Sequence, residues 1–340
     1  MGKLRFAILG CGRMGRHHSE QLLADGRGEV TSLFDVSPAT AAGLQQALWP
    51  DARVYETFAE LITAADVDAA IICTPTAEHF TQATACLNRD WHVLCEKPLG
   101  SNREEILALI AAGDSAAQRH QAFSLGYQRR HAALYRTLRR EVRSGKWGRI
   151  RAVVSHNVEN WQPTIAGTWR DDPQQNPGGF LTDAGSHKLD QLFYVTGLQP
   201  QEVFARSQTC GSHVEIVTSA SVLLDNDVTA TIDFIGHAQY LGEDLCLHCE
   251  HADLMIRHGE LWIGRGGRRD QLPVDEPDSN PVASLLDTIL NGAEDRSPPA
   301  AALPVYDLTQ AMLESSRSGF PVTITASGGT YVPPLANRPR

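Results

Sequence analysis

Leu4-Arg5-Phe6-Ala7-Ile8-Leu9, followed at once by Gly10-Cys11-Gly12-Arg13-Met14-Gly15, is the stretch from which the fold is read. A short apolar run reads as a buried strand, and the glycines that follow open a helix. Each glycine has a mechanical task. Gly10 makes the tight turn, Gly12 lets the backbone approach a pyrophosphate, and Gly15 lets helix and strand pack closely. Phosphates then sit on the helix N-terminus, where unpaired N–H groups and the helix dipole favour negative charge.

Asp35 stands 20 residues past Gly15, at the end of the second apolar run. A carboxylate there accepts hydrogen bonds from adenosine ribose hydroxyls, so Gly10, Gly12, Arg13, Met14, Gly15 and Asp35 form the expected dinucleotide site. The same carboxylate repels a 2′-phosphate, and Val36-Ser37-Pro38 brings no Arg to bind one. NAD is therefore expected ahead of NADP. Arg13 is assigned to the pyrophosphate, against the blander reading of a solvent-exposed helix residue.

Outward from this loop, the first 125 residues alternate short apolar runs with helical spacing. The runs are Leu4 to Leu9, Val30 to Phe34, Ala69 to Cys73, His92 to Cys95 and Ala122 to Leu125. Strand and helix in that rhythm make a parallel sheet covered on both faces. Ligands of such sheets bind beyond the carboxyl ends of the strands. Thr74, Pro75 and His79 follow one strand there and Glu96-Lys97 another, and both groups join the expected cofactor site.

After Tyr127 the pattern changes. A helix over about 131–142 leads to a strand over 149–158, then to a Pro/Gly/Trp-rich loop and a helix over about 180–195. From Glu202 to Gly264 strands follow one another with turn signals between them, at Cys210-Gly211-Ser212, Asp225-Asn226-Asp227 and His258-Gly259. Such a run implies a mostly antiparallel sheet. The expected fold is α/β, with a Rossmann domain over 1–125 and an α+β domain with an open sheet over 126–340. Two late helices, about 281–290 and 305–316, are left free to pack on either domain. The tail from Ala326, with Pro333-Pro334 and Pro339, is expected to be extended.

Composition excludes several function classes. Hydrophobic residues make up 42% of the 340 and the net charge is −10, which argues against a nucleic-acid or anionic-membrane footprint. No apolar window is long enough to span a membrane. The apolar run before Gly10 is too short for the core of a signal peptide. Seven scattered cysteines do not make a disulfide scaffold, so a reducing, cytoplasmic compartment is expected.

Two later stretches carry a resemblance. His92-Val93-Leu94-Cys95-Glu96-Lys97-Pro98 is similar to the E-K-P signature of the Gfo/Idh/MocA oxidoreductases. Gly178-Gly179-Phe180-Leu181-Thr182-Asp183-Ala184-Gly185-Ser186-His187 resembles that family's G-G-x-x-x-D-x-G-x-H. Gly145-Lys146-Trp147-Gly148-Arg149-Ile150 and Glu314-Ser315-Ser316 extend the likeness over residues 3 to about 325. The resemblance implies a Rossmann domain followed by an α/β domain whose open sheet forms a homodimer or homotetramer interface. It also implies a substrate bound between domains against the nicotinamide, and Lys97, Asp183 and His187 as the catalytic set.

The chemistry of these residues agrees with that assignment. Asp183 and His187, at i and i+4 of one expected helix, lie on one face. Oxidising a secondary alcohol requires a hydride acceptor and a base for the hydroxyl proton, and imidazole titrates near neutrality. His187 is assigned as that base. Asp183 either orients it or grips a neighbouring hydroxyl, and Lys97 polarises the reacting oxygen. Tyr127, Arg129, Asn157, Trp161, Trp169 and Arg170 supply the aromatic faces and hydrogen bonds that a polyhydroxylated ring needs, alongside Lys97, Asp183 and His187. Of these, the Trp169-Arg170 pair is favoured.

No metal is expected. Cys246 and Cys249 lie in an apparent strand and point to opposite faces, so they cannot chelate one ion. Arg265 to Arg269 reads as a solvated basic turn, and His17-His18 read as surface residues. The sequence thus points to an NAD-dependent dehydrogenase of a sugar, cyclitol or related polyol. Two alternatives stand beside it: an NAD-using glycosidase that oxidises its substrate transiently, and a dinucleotide-sensing regulator without chemistry.

Overall fold

A computed structural model describes residues 2–325 and 328–330, and of the tail expected to be extended from Ala326 all else lies outside the described residues. The chain divides into two compact units, Met1–Ala132 with Asp278–Leu303, and Ala133–Pro277 with Pro304–Arg340.

In the first unit β1 (Leu4–Leu9), α1 (Arg13–Asp25), β2 (Gly28–Phe34), α2 (Pro38–Leu48), β3 (Arg53–Tyr55), α3 (Phe58–Ala64), β4 (Ala69–Ile72), α4 (Thr76–Asn88), β5 (His92–Cys95), α5 (Arg103–Gln118) and β6 (Phe123–Leu125) alternate. The sheet order is β3-β2-β1-β4-β5-β6 and every pairing is parallel. This is the doubly wound order, whose reversal between β1 and β4 opens a crevice at the carboxyl ends of those strands. Phe6, Ile8, Leu9, Ile71, Ile72 and Leu94 are fully buried, as strands covered on both faces require.

Helix starts separate into two kinds. Ser37, Thr57 and Asn102 cap α2, α3 and α5 by accepting hydrogen bonds from the N–H of Thr40, Glu60 and Glu105. The helices that follow β1 and β4 start on Gly12 and Pro75, and no side chain caps either.

The second unit has α6 (Ala133–Arg143), the long β7 (Ile150–Asn160), two short helices, α7 (Gln162–Ile165) and α8 (Gly179–Thr182), and then α9 (Gly185–Thr196). Strands β8 (Pro200–Gln208), β9 (Val217–Leu224), β10 (Thr229–Ile235), β11 (His237–Cys249), β12 (Asp253–Arg257), β13 (Glu260–Arg265) and β14 (Arg268–Gln271) follow. The turn residues Asn226, His258 and Gly259 take positive φ, as the tight connections there demand. After α10 (Pro281–Asn291), α11 (Ala302–Ser318) leads into β15 (Val322–Thr325) and β16 (Gly328–Thr330). The ten strands run β14-β13-β12-β11-β7-β10-β9-β8-β15-β16, antiparallel except where β10 meets β7. Ser315 and Ser316 dock α11 on β8, their hydroxyls accepting from the N–H of Ala205 and Ser207 at 2.9 Å.

Two expectations meet a different arrangement. The segment Asp278–Leu303 belongs to the first unit, not to the span 126–340 read as one domain. Its helix α10 buries Val282, Leu285 and Leu286 in the cluster that holds Phe6, Leu22 and Leu33. The helix expected over about 180–195 is broken: α8 ends at Thr182, Asp183 has a non-helical ψ of −81°, and α9 begins at Gly185.

Candidate active site

The glycine loop fits a dinucleotide by its sterics. Gly10 has φ +87°, and a Cβ there would lie 2.6 Å from the Cys73 carbonyl group, so the turn also carries the β1–β4 contact. A Cβ on Gly15 would overlap the carbonyl oxygen of Gly10. A Cβ on Gly12 would meet nothing within 4 Å, so this glycine faces open space. The first turn of α1 has no side-chain cap and no acidic residue, which leaves a positive helix end for an anion. Arg13 is exposed beside it and Met14 half-buried. Burial, with Asp35 nearby, pushes the Cys11 thiol up to about 12, so it serves no nucleophilic role.

Asp35 at the end of β2 does more than the sequence suggests. Its carboxylate accepts hydrogen bonds from the backbone N–H of Cys11 and of Ser37, each at 2.8 Å. The next side chain, Val36, is 89% exposed, so no cation stands beside Asp35 at that position.

At the carboxyl end of β4, the Thr74 hydroxyl donates to Gln82 at 2.7 Å and Pro75 is exposed. His79 is buried at 1% exposure, with Nδ1 2.7 Å from the Pro98 carbonyl and Nε2 2.9 Å from the Thr74 carbonyl. Burial lowers its pKa, and the two carbonyls offset this only in part. A neutral imidazole donates to one of them at a time. His79 was expected to hold cofactor. With both nitrogens facing backbone carbonyls, it instead ties the loop after β4 to the loop after β5.

Glu96 is buried after β5. Its Oε1 lies 2.7 Å from Nε2 of His18, and its Oε2 accepts from the backbone N–H of Lys97 at 3.2 Å. Burial pushes this carboxyl up, but the His18 hydrogen bond and the His18 and Lys97 charges outweigh it, and Glu96 titrates below the usual range. His18 corrects the surface reading of His17-His18: His17 is exposed, whereas His18 is 1% exposed. The signal was present as helical spacing, because Gly15, His18, Ser19 and Leu22 form the buried face of α1.

In the second unit Asp183 lies in the break between α8 and α9. Its Oδ2 accepts from Nε of Arg170 at 2.7 Å, and its carbonyl accepts from the Ser186 hydroxyl at 2.7 Å. The Arg170 guanidinium stacks 4.3 Å over the ring of Trp169, which is 48% exposed. His187, half-buried, lies in the first turn of α9. Asp183 and His187 therefore do not lie on one continuous helix as expected, since Asp183 precedes the helix that carries His187. Arg170 and the turn between the two helices both hold Asp183.

Three residues expected at the substrate end are in the core. Asn157 is 1% exposed, and its amide donates to the Ser155 hydroxyl and the Asp233 carbonyl, each at 3.0 Å. Trp161 packs on Phe180 with ring centroids 5.2 Å apart. Tyr127 is buried at 2% exposure beneath Arg130. Arg129 is half-buried in the short 3-10 turn that follows Tyr127. Trp169 and Arg170 remain as the accessible pair beside Asp183.

Among the described residues, no group of three or more His, Cys, Asp or Glu side chains could hold a metal ion, and no helix is long and apolar enough to cross a membrane.

Comparison with known proteins places both units. The oxidoreductase family model with an NAD-binding Rossmann fold, Gfo/Idh/MocA, matches residues 4–127, and the model of the Gfo/Idh/MocA C-terminal domain matches residues 135–255. The chain is 30% identical over 200 residues to the rhizopine catabolism protein MocA of Rhizobium meliloti, covering 59% of each. It is 24% identical over 232 residues to an inositol 2-dehydrogenase of Rhizobium meliloti, covering 68% of this chain and 62% of the relative. The match thus spans less than two-thirds of either relative's length. Among solved structures, the WlbA dehydrogenase from Bordetella pertussis, in complex with NADH and UDP-GlcNAcA, superposes with a TM-score of 0.78 at 21% identity, covering 95% of this chain and 99% of that one. That likeness concerns the fold.

Proposed function

Because the chain belongs to the Gfo/Idh/MocA family of oxidoreductases, we propose that it transfers hydride between NAD and a secondary alcohol of a sugar, cyclitol or related polyol. The observation that carries this reading is the uncapped start of α1 behind Gly12, with Asp35 holding the loop. The helix end takes the pyrophosphate, Asp35 takes the ribose hydroxyls, and Thr74, Pro75 and Lys97 border the same strand ends. NAD, when bound, supplies the hydride acceptor.

The remaining chemistry belongs to the chain. His187 removes the hydroxyl proton, imidazole being the side-chain type that exchanges protons near neutral pH. Asp183, paired with Arg170, grips a hydroxyl next to the reacting one. Lys97 polarises the reacting oxygen. Trp169 offers an aromatic face to the C–H side of the ring. The name of one relative, an inositol 2-dehydrogenase, favours a cyclitol within this class.

The proposal extends to assembly. Val154, Ser219, Ser221, Thr229 and Thr231 are exposed at alternate positions of the second unit's sheet, a surface suited to pairing with a second copy. Sedimentation velocity would read a dimer or tetramer, and a monomer at micromolar concentration would reject this part.

The catalytic reading is tested by incubating the protein with NAD and a panel of inositols and sugars while following NADH absorbance. We expect NADH with at least one cyclitol or sugar. His187→Ala should lower kcat by about 100-fold or more while the NAD dissociation constant stays unchanged. Glycoside cleavage without net NADH would replace the reading by hydrolysis, and NAD binding without either reaction would leave a sensor.

A further inference from the structure

We infer that His18, on the helix that starts the dinucleotide site, is a positioning residue for Lys97 and acts on it through Glu96. This rests on the reading in which Lys97 polarises the reacting oxygen.

The Glu96 carboxylate is held on three sides. Its Oε1 faces Nε2 of His18 at 2.7 Å, and its Oε2 accepts the backbone N–H of Lys97. On the third side, the bare Cα of Gly126 lies so close that a Cβ there would be 2.8 Å from Oε1. The side chains of His18 and Glu96 are 2% and 10% exposed, so water does little to stabilise the carboxylate, and His18 carries that task. At 2.7 Å the ring N–H donates a short hydrogen bond to the carboxylate oxygen. The other ring nitrogen, Nδ1, lies 3.2 Å from Gln21 Oε1, whose amide nitrogen is 2.9 Å from Nε2 of the exposed His17. The ring is thus fixed from both ends.

The consequence falls on Lys97. With His18 in place, the Glu96 carboxylate is compensated where it stands and keeps its hold on the Lys97 backbone. Without His18, the buried carboxylate loses its hydrogen-bond partner, shifts, and loosens that hold. Lys97 is then displaced. His18 also stands three residues after Gly15 on α1, so the segment that meets the pyrophosphate is tied directly to the segment that carries Lys97.

The test compares the full chain with His18→Leu, which removes the hydrogen bond, and His18→Gln, whose amide can still donate to Glu96. Three quantities are read: kcat and KM for a reacting cyclitol or sugar, the NAD dissociation constant by calorimetry, and the acetylation rate of Lys97 by acetic anhydride, resolved by peptide mass spectrometry. For His18→Leu we expect kcat to fall about 100-fold with KM for the alcohol nearly unchanged. Lys97 acetylation should change about fivefold as the lysine leaves its position. His18→Gln should recover most of both. Unchanged kcat and acetylation in His18→Leu would overturn the inference, and so would equal defects in the Leu and Gln variants, which would mean packing alone. If His18→Leu does not fold, Glu96→Ala, which removes the acceptor of the Lys97 N–H, replaces it, with the same loss of kcat expected. Should the parent protein yield no NADH with any alcohol, the dehydrogenase reading fails, and Lys97 acetylation still decides whether His18 governs that lysine.

Discussion

The carboxylate of Asp35 accepts a hydrogen bond from the backbone N–H of Cys11 at 2.8 Å, so the residue expected to read the ribose also fastens the loop expected to hold the pyrophosphate. Asp35→Ala should therefore do two things at once. It should relax the preference for NAD over NADP, because the carboxylate that repels a 2′-phosphate is gone. It should also weaken NAD itself by roughly ten- to a hundredfold, since hydrogen bonds to a charged group are each worth about 1.5–3 kcal/mol. Calorimetric titration with both dinucleotides separates the effects. A change in discrimination with full NAD affinity would show that the Cys11 contact contributes nothing to binding.

Gly15 and Gly12 of the loop should respond differently to alanine. At Gly15 a methyl group would overlap the Gly10 carbonyl oxygen, so Gly15→Ala should destabilise the fold by about 1–3 kcal/mol, visible as a lower melting temperature. At Gly12 the methyl meets nothing within 4 Å and φ is −69°, so Gly12→Ala should melt within about 2 °C of the parent. Its defect should lie in NAD affinity, weakened at least about tenfold, because the methyl fills the space the pyrophosphate needs. A Gly12→Ala protein that binds NAD normally would place the phosphates elsewhere.

What sequence could and could not reveal divides along the range of the forces involved. Gly10, Gly12 and Gly15 are legible because each answers a local steric demand, and the strand rhythm is legible because burial on both faces leaves near-continuous apolar runs. His18 is polar and sits beside exposed His17, so residue type hides what helical spacing shows. The break at Asp183 is tertiary: Phe180 donates its N–H to the Glu215 carbonyl and Arg170 claims the Asp183 carboxylate, contacts no local pattern encodes. Asn157 reads as a polar residue for a ligand, but its amide is spent on Ser155 and Asp233. The return of α10 to the first unit depends on where Val282 and Leu285 find Phe6 and Leu22, a distance in sequence that periodicity cannot bridge.

Arg170 should matter through Asp183. The pair is partly buried, at 31% and 15% side-chain exposure, and the guanidinium has its face on Trp169 while Nε donates to the carboxylate. Arg170→Met leaves Asp183 without this partner and free to turn from the hydroxyl it is proposed to grip. A roughly tenfold fall in kcat/KM is expected, with NAD affinity intact. Arg170→Lys should recover only part of it, because an ammonium cannot both stack flat on Trp169 and keep the directed Nε bond. Steady-state rates and calorimetry suffice. Full activity in Arg170→Met would remove Arg170 from the site.

His79 predicts how stability depends on pH. Burial holds its folded pKa below the ordinary value of 6.5, so unfolding exposes an imidazole that binds protons more readily than the folded one. The stability this contributes is fully present above the unfolded pKa and is lost as pH falls from about 6.5 toward the folded value. Glu96 acts in the same direction at lower pH: its folded pKa lies below its ordinary 4.5, so its contribution holds above 4.5 and disappears as pH falls through the folded value. Urea midpoints should therefore drop between about pH 7 and pH 5 in the parent, and more gently in His79→Gln, which has nothing to protonate in that window. Comparing slopes removes any fixed cost of the substitution, such as a lost bond to the Pro98 or Thr74 carbonyl. Parallel slopes in the two proteins would mean that His79 titrates alike in the folded and unfolded chains, which its burial beneath the loops after β4 and β5 does not allow.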